Sequence, residues 1–203
     1  RSHIDFKKEY QEDLSKSLNK ILNHYQVIQN RSTPKENNEY YTSLEFLNEV
    51  KNHHQLKKST YVDSRCISKF KTTISLRKEV SDAFFKRISL FVSERCDFPV
   101  FDCSLTGGMI YPANGYMGWH NNIKVGWRLY CTYCAEQSKS YFRYEDDDGK
   151  IIDCLEKQGW NFRLFYIRNT FSPFWHSIYT ETERVAIGIF LGLDQTKIQN
   201  LIG

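Results

Sequence analysis

Apolar side chains in the first half of the chain recur every three or four residues, the spacing that places them on one face of a helix. This pattern predicts a long amphipathic helix from Ile4 to Ile28, which Ser32-Thr33-Pro34 ends. A shorter helix is predicted after a cap at Thr42 or Ser43, and a third helical pattern runs from Leu76 to Arg95. The front of the chain is therefore predicted to be helical.

The segment from Gln55 to Thr73 is polar and basic and shows no clear period. It is predicted to be a long loop, and long loops in compact domains often cover a substrate. A plain surface excursion accounts for the same pattern equally well.

From Phe98 onward the pattern changes to short β-rich runs separated by turn residues, which is typical of a sandwich or barrel. Glu145 to Lys150 contains Asp-Gly and predicts a hairpin turn. The predicted strands are Val100 to Leu105, Gly108 to Tyr111, Gly118 to His120, Trp127 to Cys134, Ser140 to Tyr144, Lys150 to Cys154, Asn161 to Ile167, Trp175 to Tyr179 and Arg184 to Leu191.

Helices followed by strands predict an α+β chain, and a double-stranded β-helix of the jelly-roll and cupin type suits this order. We expect residues 1–97 to form a helical region and loop that support the barrel. Residues 98–203 would form the core, within one integrated domain. The length of 203 residues suits one domain with a substantial core.

The apolar segments, cysteines and net charge indicate in which compartment the protein works and with which partners. We find neither an apolar run of ~18 residues nor a signal-peptide pattern, so we expect no membrane span. The six cysteines are then expected to be reduced thiols in the cytoplasm. Cys131 and Cys134 have the spacing of a zinc knuckle, but they lie in a predicted strand where positions three apart face opposite sides, which favours buried thiols. The net charge of +4 permits a nucleic-acid partner without indicating one.

Two histidines are the strongest candidates for chemistry. Neutral imidazole binds divalent iron well, and two histidines with one oxygen ligand leave coordination positions open. His120 and Asn122 are two residues apart, so on a strand or its exit they point to the same side. His176 would complete a metal site if its strand lies beside them. Arg184, which opens an apolar run, would then belong to a cosubstrate site.

The motifs around these residues resemble the Fe(II)/2-oxoglutarate-dependent oxygenases, over roughly Phe101 to Leu193. The first histidine resembles that of the nucleic-acid-demethylating branch and of uncharacterised phage oxygenases, and Glu183 to Phe190 looks like the family's final barrel strand. The matching residues of the first motif are Tyr111, Gly115 or Gly118, Trp119 and His120.

The resemblance implies an oxidoreductase that hydroxylates a carbon centre with dioxygen as cosubstrate. The substrate is left open as a protein side chain, a nucleic acid or a small molecule. Fe(II) would be held by His120, Asn122 and His176. The distal carboxylate of 2-oxoglutarate would meet the two-pronged guanidinium of Arg184 and the hydroxyl of Tyr111. The alternative for Arg184 is a surface salt bridge with Glu181 or Glu183, and Arg143 and Arg168 are reserve candidates for the anion.

Two positions depart from the family pattern. Asn122 stands where the family has Asp or Glu, and it is a neutral, weaker ligand. Its alternative roles are to donate a hydrogen bond beside the ligands or to leave a gap where water or an anion binds. Phe190 replaces the second arginine of the demethylases, which argues against a base demethylase.

Rival interpretations are a non-catalytic binding module on a degenerate oxygenase fold, a cupin-like metal enzyme without 2-oxoglutarate, and, as a minor alternative, a halogenase. Trp119 and Trp175, beside the two histidines, are expected to wall the pocket and limit access of water.

Overall fold

The computed structural model describes residues 3–35, 37–56, 70–96, 99–122, 124–168, 173–192 and 195–202. These residues form helices and two antiparallel β-sheets, as the α+β prediction requires. Most of the predicted loop between the second and third helices, residues 57–69, lies outside the described ranges. Within those ranges, no helix combines the length and apolar character needed to cross a membrane.

The helices of the described ranges are α1 Lys8–His24, α2 Asn38–Tyr41, α3 Leu44–Leu56, α4 Lys78–Cys96 and α5 Gln195–Ile198. The predicted cap of α3 is confirmed, because the Ser43 hydroxyl oxygen accepts a hydrogen bond from the Phe46 amide at 3.2 Å. The third predicted helix is confirmed as α4.

The first predicted helix was too long at both ends. Residues 3–5 pair with a strand of the sheet instead, because tertiary pairing overrides the local helical period there. At the other end, Gln26 has a φ of 48° and the Val27 amide donates to the Leu22 carbonyl, which ends the helix after His24.

Two sheets are built from the strands of the described residues. The strands are β1 His3–Asp5, β2 Ile74–Ser75, β3 Cys103–Tyr111, β4 Tyr116–His120, β5 Gly126–Cys134, β6 Ser140–Glu145, β7 Ile151–Leu155, β8 Gly159–Ile167, β9 His176–Thr180 and β10 Arg184–Leu191. One sheet has the order β1-β8-β5-β10-β3-β2 and the other β4-β9-β6-β7. After β3, the chain changes sheet at every step except between β6 and β7.

The two predicted strands before Tyr111 are one strand, β3, preceded by a 3-10 turn at Val100–Asp102. The strand continues through Thr106 and Gly107, which lay between the two predicted strands. A Cβ at Gly108 would lie 2.7 Å from the Ser81 hydroxyl of α4. The absence of a side chain at Gly108 therefore lets α4 approach the sheet closely at this point.

The outer face of the six-stranded sheet is covered by α1 and α4. Apolar side chains of both helices form one core cluster with strand residues such as Leu129, Cys131 and Ile187. The inner face meets the four-stranded sheet through Phe142, Phe165 and other residues of a second cluster. Cys131 and Cys134 consequently face opposite sides of β5, as predicted, and the five described cysteines are free thiols.

A third cluster lies on the other face of the four-stranded sheet. Trp119 and Trp175 pack there against Phe46, Leu47 and Val50 of α3. Both tryptophans are buried, but neither lines the cavity between the sheets. The prediction that they wall the pocket was wrong, because each lies one residue before its histidine and strand alternation turns it away.

Candidate active site

A cavity of about 300 Å³ lies between the two sheets. Its apolar wall includes Met109, Met117, Phe142 and Ile178. The five residues predicted for the metal and cosubstrate site also line it: His120, Asn122, His176, Arg184 and Tyr111. The sheets thus bring together side chains that are far apart in sequence.

The two histidines are held as a pair by the strands that carry them. β4 and β9 are antiparallel neighbours, and His120 is the register partner of His176. Their ring centroids are 4.1 Å apart. In each ring Nδ1 lies close to a backbone carbonyl two residues earlier, at 2.8 Å from Gly118 and 3.0 Å from Phe174. A carbonyl only accepts, so Nδ1 carries the proton and Nε2 keeps its lone pair.

Burial also keeps both rings neutral. The pKa of His120 is lowered to about 4, chiefly by burial and to a smaller extent by the nearby Lys71, although the Gly118 carbonyl acts in the opposite direction. Burial holds the pKa of His176 well below its usual range, with a further contribution from His120. Near pH 7, each ring therefore presents an unprotonated Nε2, the form in which histidine binds metals.

Asn122 completes this corner of the cavity. Its Nδ2 lies 3.3 Å from Nε2 of His176 and donates to the Tyr130 hydroxyl at 3.1 Å. The amide therefore presents its nitrogen to the ring, and it must turn to present its oxygen to a metal. Within the described residues, no group of three His, Cys, Asp or Glu side chains could hold a metal ion. A metal bound here would have two imidazoles and this neutral amide as its protein ligands.

Replacing Asn122 with Asp is expected to raise the affinity for Fe(II) or Mn(II) about tenfold or more, because an ionised carboxylate is a stronger oxygen ligand than an amide. Metal titration of the two proteins measures the difference. Asn52→Asp, an equivalent change on the exposed surface of α3, is the control. An unchanged affinity in Asn122→Asp would place residue 122 outside the metal's coordination sphere.

Arg184 is buried at the start of β10, with only 1% of its surface exposed. It pairs with neither Glu181 nor Glu183, so the surface salt-bridge alternative is wrong. Its two-pronged partner is Glu156, with Nε 2.6 Å from Oε2 and Nη2 3.0 Å from Oε1. Glu183 instead accepts from the backbone amides of Gln29 and Arg31.

Glu156 is the centre of a buried network between β7 and β8. Its other donors come from three strands and lie 2.6–3.0 Å away: Arg163 Nη1, Thr132 Oγ1, Ser140 Oγ and Cys134 Sγ. Burial by itself raises the pKa of Glu156, but Arg184 and Arg163 outweigh it and hold that pKa well below its usual range. Glu156 is therefore ionised, and one carboxylate is shared by two guanidinium groups.

One guanidinium nitrogen of Arg184 does not take part in the pairing with Glu156. Nη1 is buried and has no hydrogen-bond partner among the described residues. The guanidinium lies 5.0 Å from the ring centre of Tyr111, its register partner on β3. Because Glu156 balances only one of its two arginines, this end of the cavity keeps a net positive charge next to an unpaired donor. It can accept the negative group of a ligand.

The reserve arginines do not belong to the cavity. Arg143 pairs with Asp153 and Arg168 with Asp147, and neither lines the cavity. The predicted site did not include Glu156, Tyr130 or the lining arginines Arg128 and Arg163. Alternation along β5 and β8 could have indicated both arginines, because each shares a strand face with inward aromatic residues. No sequence signal distinguished Glu156 from the other acidic residues near turns.

Comparison with known proteins leaves the family open. No family model and no curated protein matches the chain. Among solved structures, a full-length Neurospora crassa protein in complex with alpha-KG is 13% identical, with a TM-score of 0.37 over 56% of this chain and 46% of that chain. This chain thus spans less than half of that one.

A prolyl-4-hydroxylase of Pseudomonas putida is 12% identical, with a TM-score of 0.39 over 86% of this chain and 98% of that chain. A mutant of a family 29 carbohydrate-binding module is also 12% identical, with a TM-score of 0.26 over 48% of this chain and 80% of that one. With all three TM-scores below 0.5, these likenesses do not assign a family.

Proposed function

We propose that the protein is an Fe(II)- and 2-oxoglutarate-dependent dioxygenase that hydroxylates a carbon centre of its substrate. The observation that carries the proposal is the histidine pair. Two buried, neutral imidazoles hold their Nδ1 protons on backbone carbonyls and present Nε2 to a cavity. The same cavity contains an arginine nitrogen that has no hydrogen-bond partner among the described residues. The resemblance of the sequence motifs to the oxygenase family points to the same chemistry.

In this proposal His120 and His176 hold Fe(II), and Asn122 contributes a weak third ligand or orients water there. When bound, Fe(II) and 2-oxoglutarate supply the oxidising chemistry that places one atom of dioxygen on the substrate and the other in succinate. The backbone carbonyls of Gly118 and Phe174 fix the orientation of both rings. Met117, Phe142 and Ile178 line the cavity with apolar surface, which limits access of water.

Arg184 would bind the distal carboxylate of 2-oxoglutarate through Nη1, with the Tyr111 hydroxyl beside it. The two-pronged pairing expected for that carboxylate is taken by Glu156. Glu156 therefore positions the guanidinium and leaves one donor for the ligand. The remaining positive charge of the Arg163, Glu156 and Arg184 group matches one carboxylate.

The order of the strands supports assignment of the core to the double-stranded β-helix. Apart from the β6-β7 hairpin, successive strands from β3 to β10 alternate between two facing four-stranded sets, β8-β5-β10-β3 and β4-β9-β6-β7, as in a jelly roll. We further propose that residues 1–97 and 98–203 are one integrated unit. The pairing of β1 with β8 and of β2 with β3 supports this, as does the packing of α1 and α4 on the six-stranded sheet.

A second candidate is a non-catalytic binding module on the same fold. Two observations favour it: Asn122 offers no ionised ligand, and Glu156 already occupies the fork of Arg184. In that case the cavity would bind an anion without iron chemistry. A cupin-like metal enzyme would bind metal but would have no need of Arg184 for 2-oxoglutarate.

Anaerobic titration with Fe(II) and 2-oxoglutarate tests the proposal, through the weak metal-to-ligand charge-transfer band in the visible region. We expect a band that needs both components. Arg184→Lys keeps a positive charge beside Glu156 but loses the planar guanidinium. It should lower the affinity for 2-oxoglutarate about tenfold or more. Arg143→Lys, on the pair with Asp153 outside the cavity, should leave the titration unchanged.

The other outcomes favour a rival interpretation or contradict the proposed carboxylate site. A folded protein that binds metal without forming the band would be a metal enzyme of another kind. A folded protein that binds neither component would make the binding module the better interpretation. If the band forms equally well in Arg184→Lys, the proposed site for the distal carboxylate is wrong.

A further inference from the structure

The described lining of the cavity is strongly one-sided in charge. It contains four basic side chains, Lys71, Arg128, Arg163 and Arg184, and no Asp or Glu. Arg163 and Arg184 share the carboxylate of Glu156, which lies behind the lining. Arg128 makes no ion pair among the described residues and lies at a different place in the cavity. Its charge is not accounted for by the cosubstrate site.

Arg128 is held in position on β5. Only 3% of its surface is exposed, and Nη2 donates to the Lys124 carbonyl at 2.9 Å. Its guanidinium lies 4.8 Å from the centre of the Phe190 ring, and the Lys124 ammonium lies 3.6 Å from the same ring. Nη1 is buried and finds no hydrogen-bond partner in the part of the chain that the structure describes. The side chain is therefore fixed and still has a free donor.

Gly126 makes room for the Phe190 ring beside Arg128. A Cβ there would lie 2.7 Å from the Phe190 ring, and the backbone φ of 130° is one that other residues rarely adopt. The ring can therefore pack against the strand that carries Arg128. Burial lowers the pKa of Arg128, as expected of a cation with no carboxylate beside it, and the nearby Tyr130 acts in the opposite direction.

The register of the sheet separates Arg128 from Arg184. Phe190 is the partner of Arg128 on β10, whereas Arg184 is opposite Cys134, six residues further along β5. At about 3.3 Å per residue, the two backbone positions are ~20 Å apart along the strand. Each guanidinium stays beside the aromatic ring of its own cross-strand neighbour. With four C–C bonds of about 1.5 Å, a 2-oxoglutarate bound at Arg184 spans less than half of that distance.

Tyr130, a neighbour of Arg128 on β5, connects it to the proposed metal ligands. Tyr130 is two residues away on the same face of β5, and its hydroxyl accepts a hydrogen bond from Asn122. Asn122 in turn contacts His176. A group bound by Arg128 therefore lies on the metal side of the cavity, where the primary substrate must present its carbon.

We propose that Arg128 binds an anionic group of the primary substrate, so that the substrate is a small organic acid or phosphate ester. This rests on the proposed function. A planar guanidinium with a free, buried donor is suited to a carboxylate or phosphate. Lys124 adds positive charge beside the same Phe190 ring, and Lys71 adds positive charge elsewhere in the lining. A neutral substrate would leave the buried charge of Arg128 without compensation.

The test is calorimetric titration of inorganic phosphate and of propionate into the anaerobic protein saturated with Fe(II) and 2-oxoglutarate, and into the metal-free protein. The wild type should bind at least one of the two anions. Arg128→Met should weaken that binding at least tenfold, and Arg128→Lys should restore part of it. Arg87→Met, the same charge change on the exposed face of α4, is the matched control, and circular dichroism verifies the fold of each variant.

Three results would overturn the proposal. One is that neither anion binds to the wild type, and another is equal binding in the wild type and Arg128→Met. The third is a tenfold lower affinity of Arg128→Met for 2-oxoglutarate, which would mean that Arg128 binds the cosubstrate. Failure of the proposed function is seen separately, as absence of the charge-transfer band in the wild type. The anion titration of the metal-free protein still shows whether Arg128 binds an anion.

Discussion

Replacing Glu156 with alanine is expected to lower the free energy of unfolding by about 3–5 kcal/mol, the range typical for removal of one partner from a buried ion pair. Glu156 is fully buried, and two arginines and three other donors converge on it. Without its carboxylate, Arg163 and Arg184 would be two neighbouring positive charges inside the protein. Urea denaturation at pH 7, followed by circular dichroism, measures the loss.

The matched control is Glu181→Ala, which removes an exposed partner of Lys139 and should change stability little. Glu156→Gln keeps the shape and removes the charge, so it should fall between the wild type and the alanine variant. If Glu156→Ala unfolds at the same urea concentration as Glu181→Ala, the network does not hold the sheets together.

The contribution of Glu156 should depend on pH in one direction only. Its pKa is lower in the folded protein than in the unfolded chain, so the stabilisation is fully present above the unfolded value near 4.5. It is lost as the pH falls through the folded value, well below 4.5. The stability gap between the wild type and Glu156→Gln should therefore be constant from about pH 5 to pH 8.

Replacing His176 with alanine is expected to reduce the affinity for Fe(II) by more than ~100-fold and to abolish succinate formation. Loss of a residue that supports a metal ligand typically costs about 10–100-fold, and loss of the ligand itself should cost more. Metal titration and an assay of 2-oxoglutarate decarboxylation measure the two effects. His120→Ala should behave in the same way, because the two rings form one pair.

His24→Ala removes an exposed histidine at the end of α1 and serves as the control. The His176 ring also packs 5.3 Å from the rings of Phe142 and Phe174, so some stability will be lost with it. Circular dichroism shows whether the variant remains folded at the assay temperature. Normal turnover by folded His176→Ala would rule out the proposed mechanism.

The two sets of variants separate stability from chemistry. Glu156 contacts neither histidine, so Glu156→Gln should lower stability more than it lowers metal affinity. The His176 variant should show the reverse. A protein in which both variants lose metal to the same degree would have a site that depends on the packing of the whole cavity.

The local pattern of the sequence was sufficient for most of the elements. Helical periodicity identified α1, α3 and α4, and β alternation with turn residues identified most of the strands of the core. Asp-Gly marked the turn before Lys150, where Gly149 has a φ of 77°. The errors came where distant parts of the chain decide the outcome. Residues 3–5 became an edge strand, and β3 continued through two glycines.

The candidate site divides in the same way. His120, Asn122, His176, Arg184 and Tyr111 were selected by residue type and motif, and the structure places all five on one cavity. Arg184 was expected to bind a ligand through two guanidinium nitrogens, but Nε and Nη2 both donate to Glu156. The tryptophans beside the histidines were expected in the pocket, yet alternation turns them to the opposite face of the sheet.

The sequence by itself determined most of the helices and strands, and which residues have the chemistry of a metal and anion site. These properties depend on neighbours within a few positions, so periodicity and residue type reveal them. Only the tertiary structure decided that Glu156 shares its carboxylate between Arg163 and Arg184, and that Arg128 has no such partner among the described residues. Charge pairing inside a protein depends on which strands become neighbours and on their register. Both are set by packing of the whole chain.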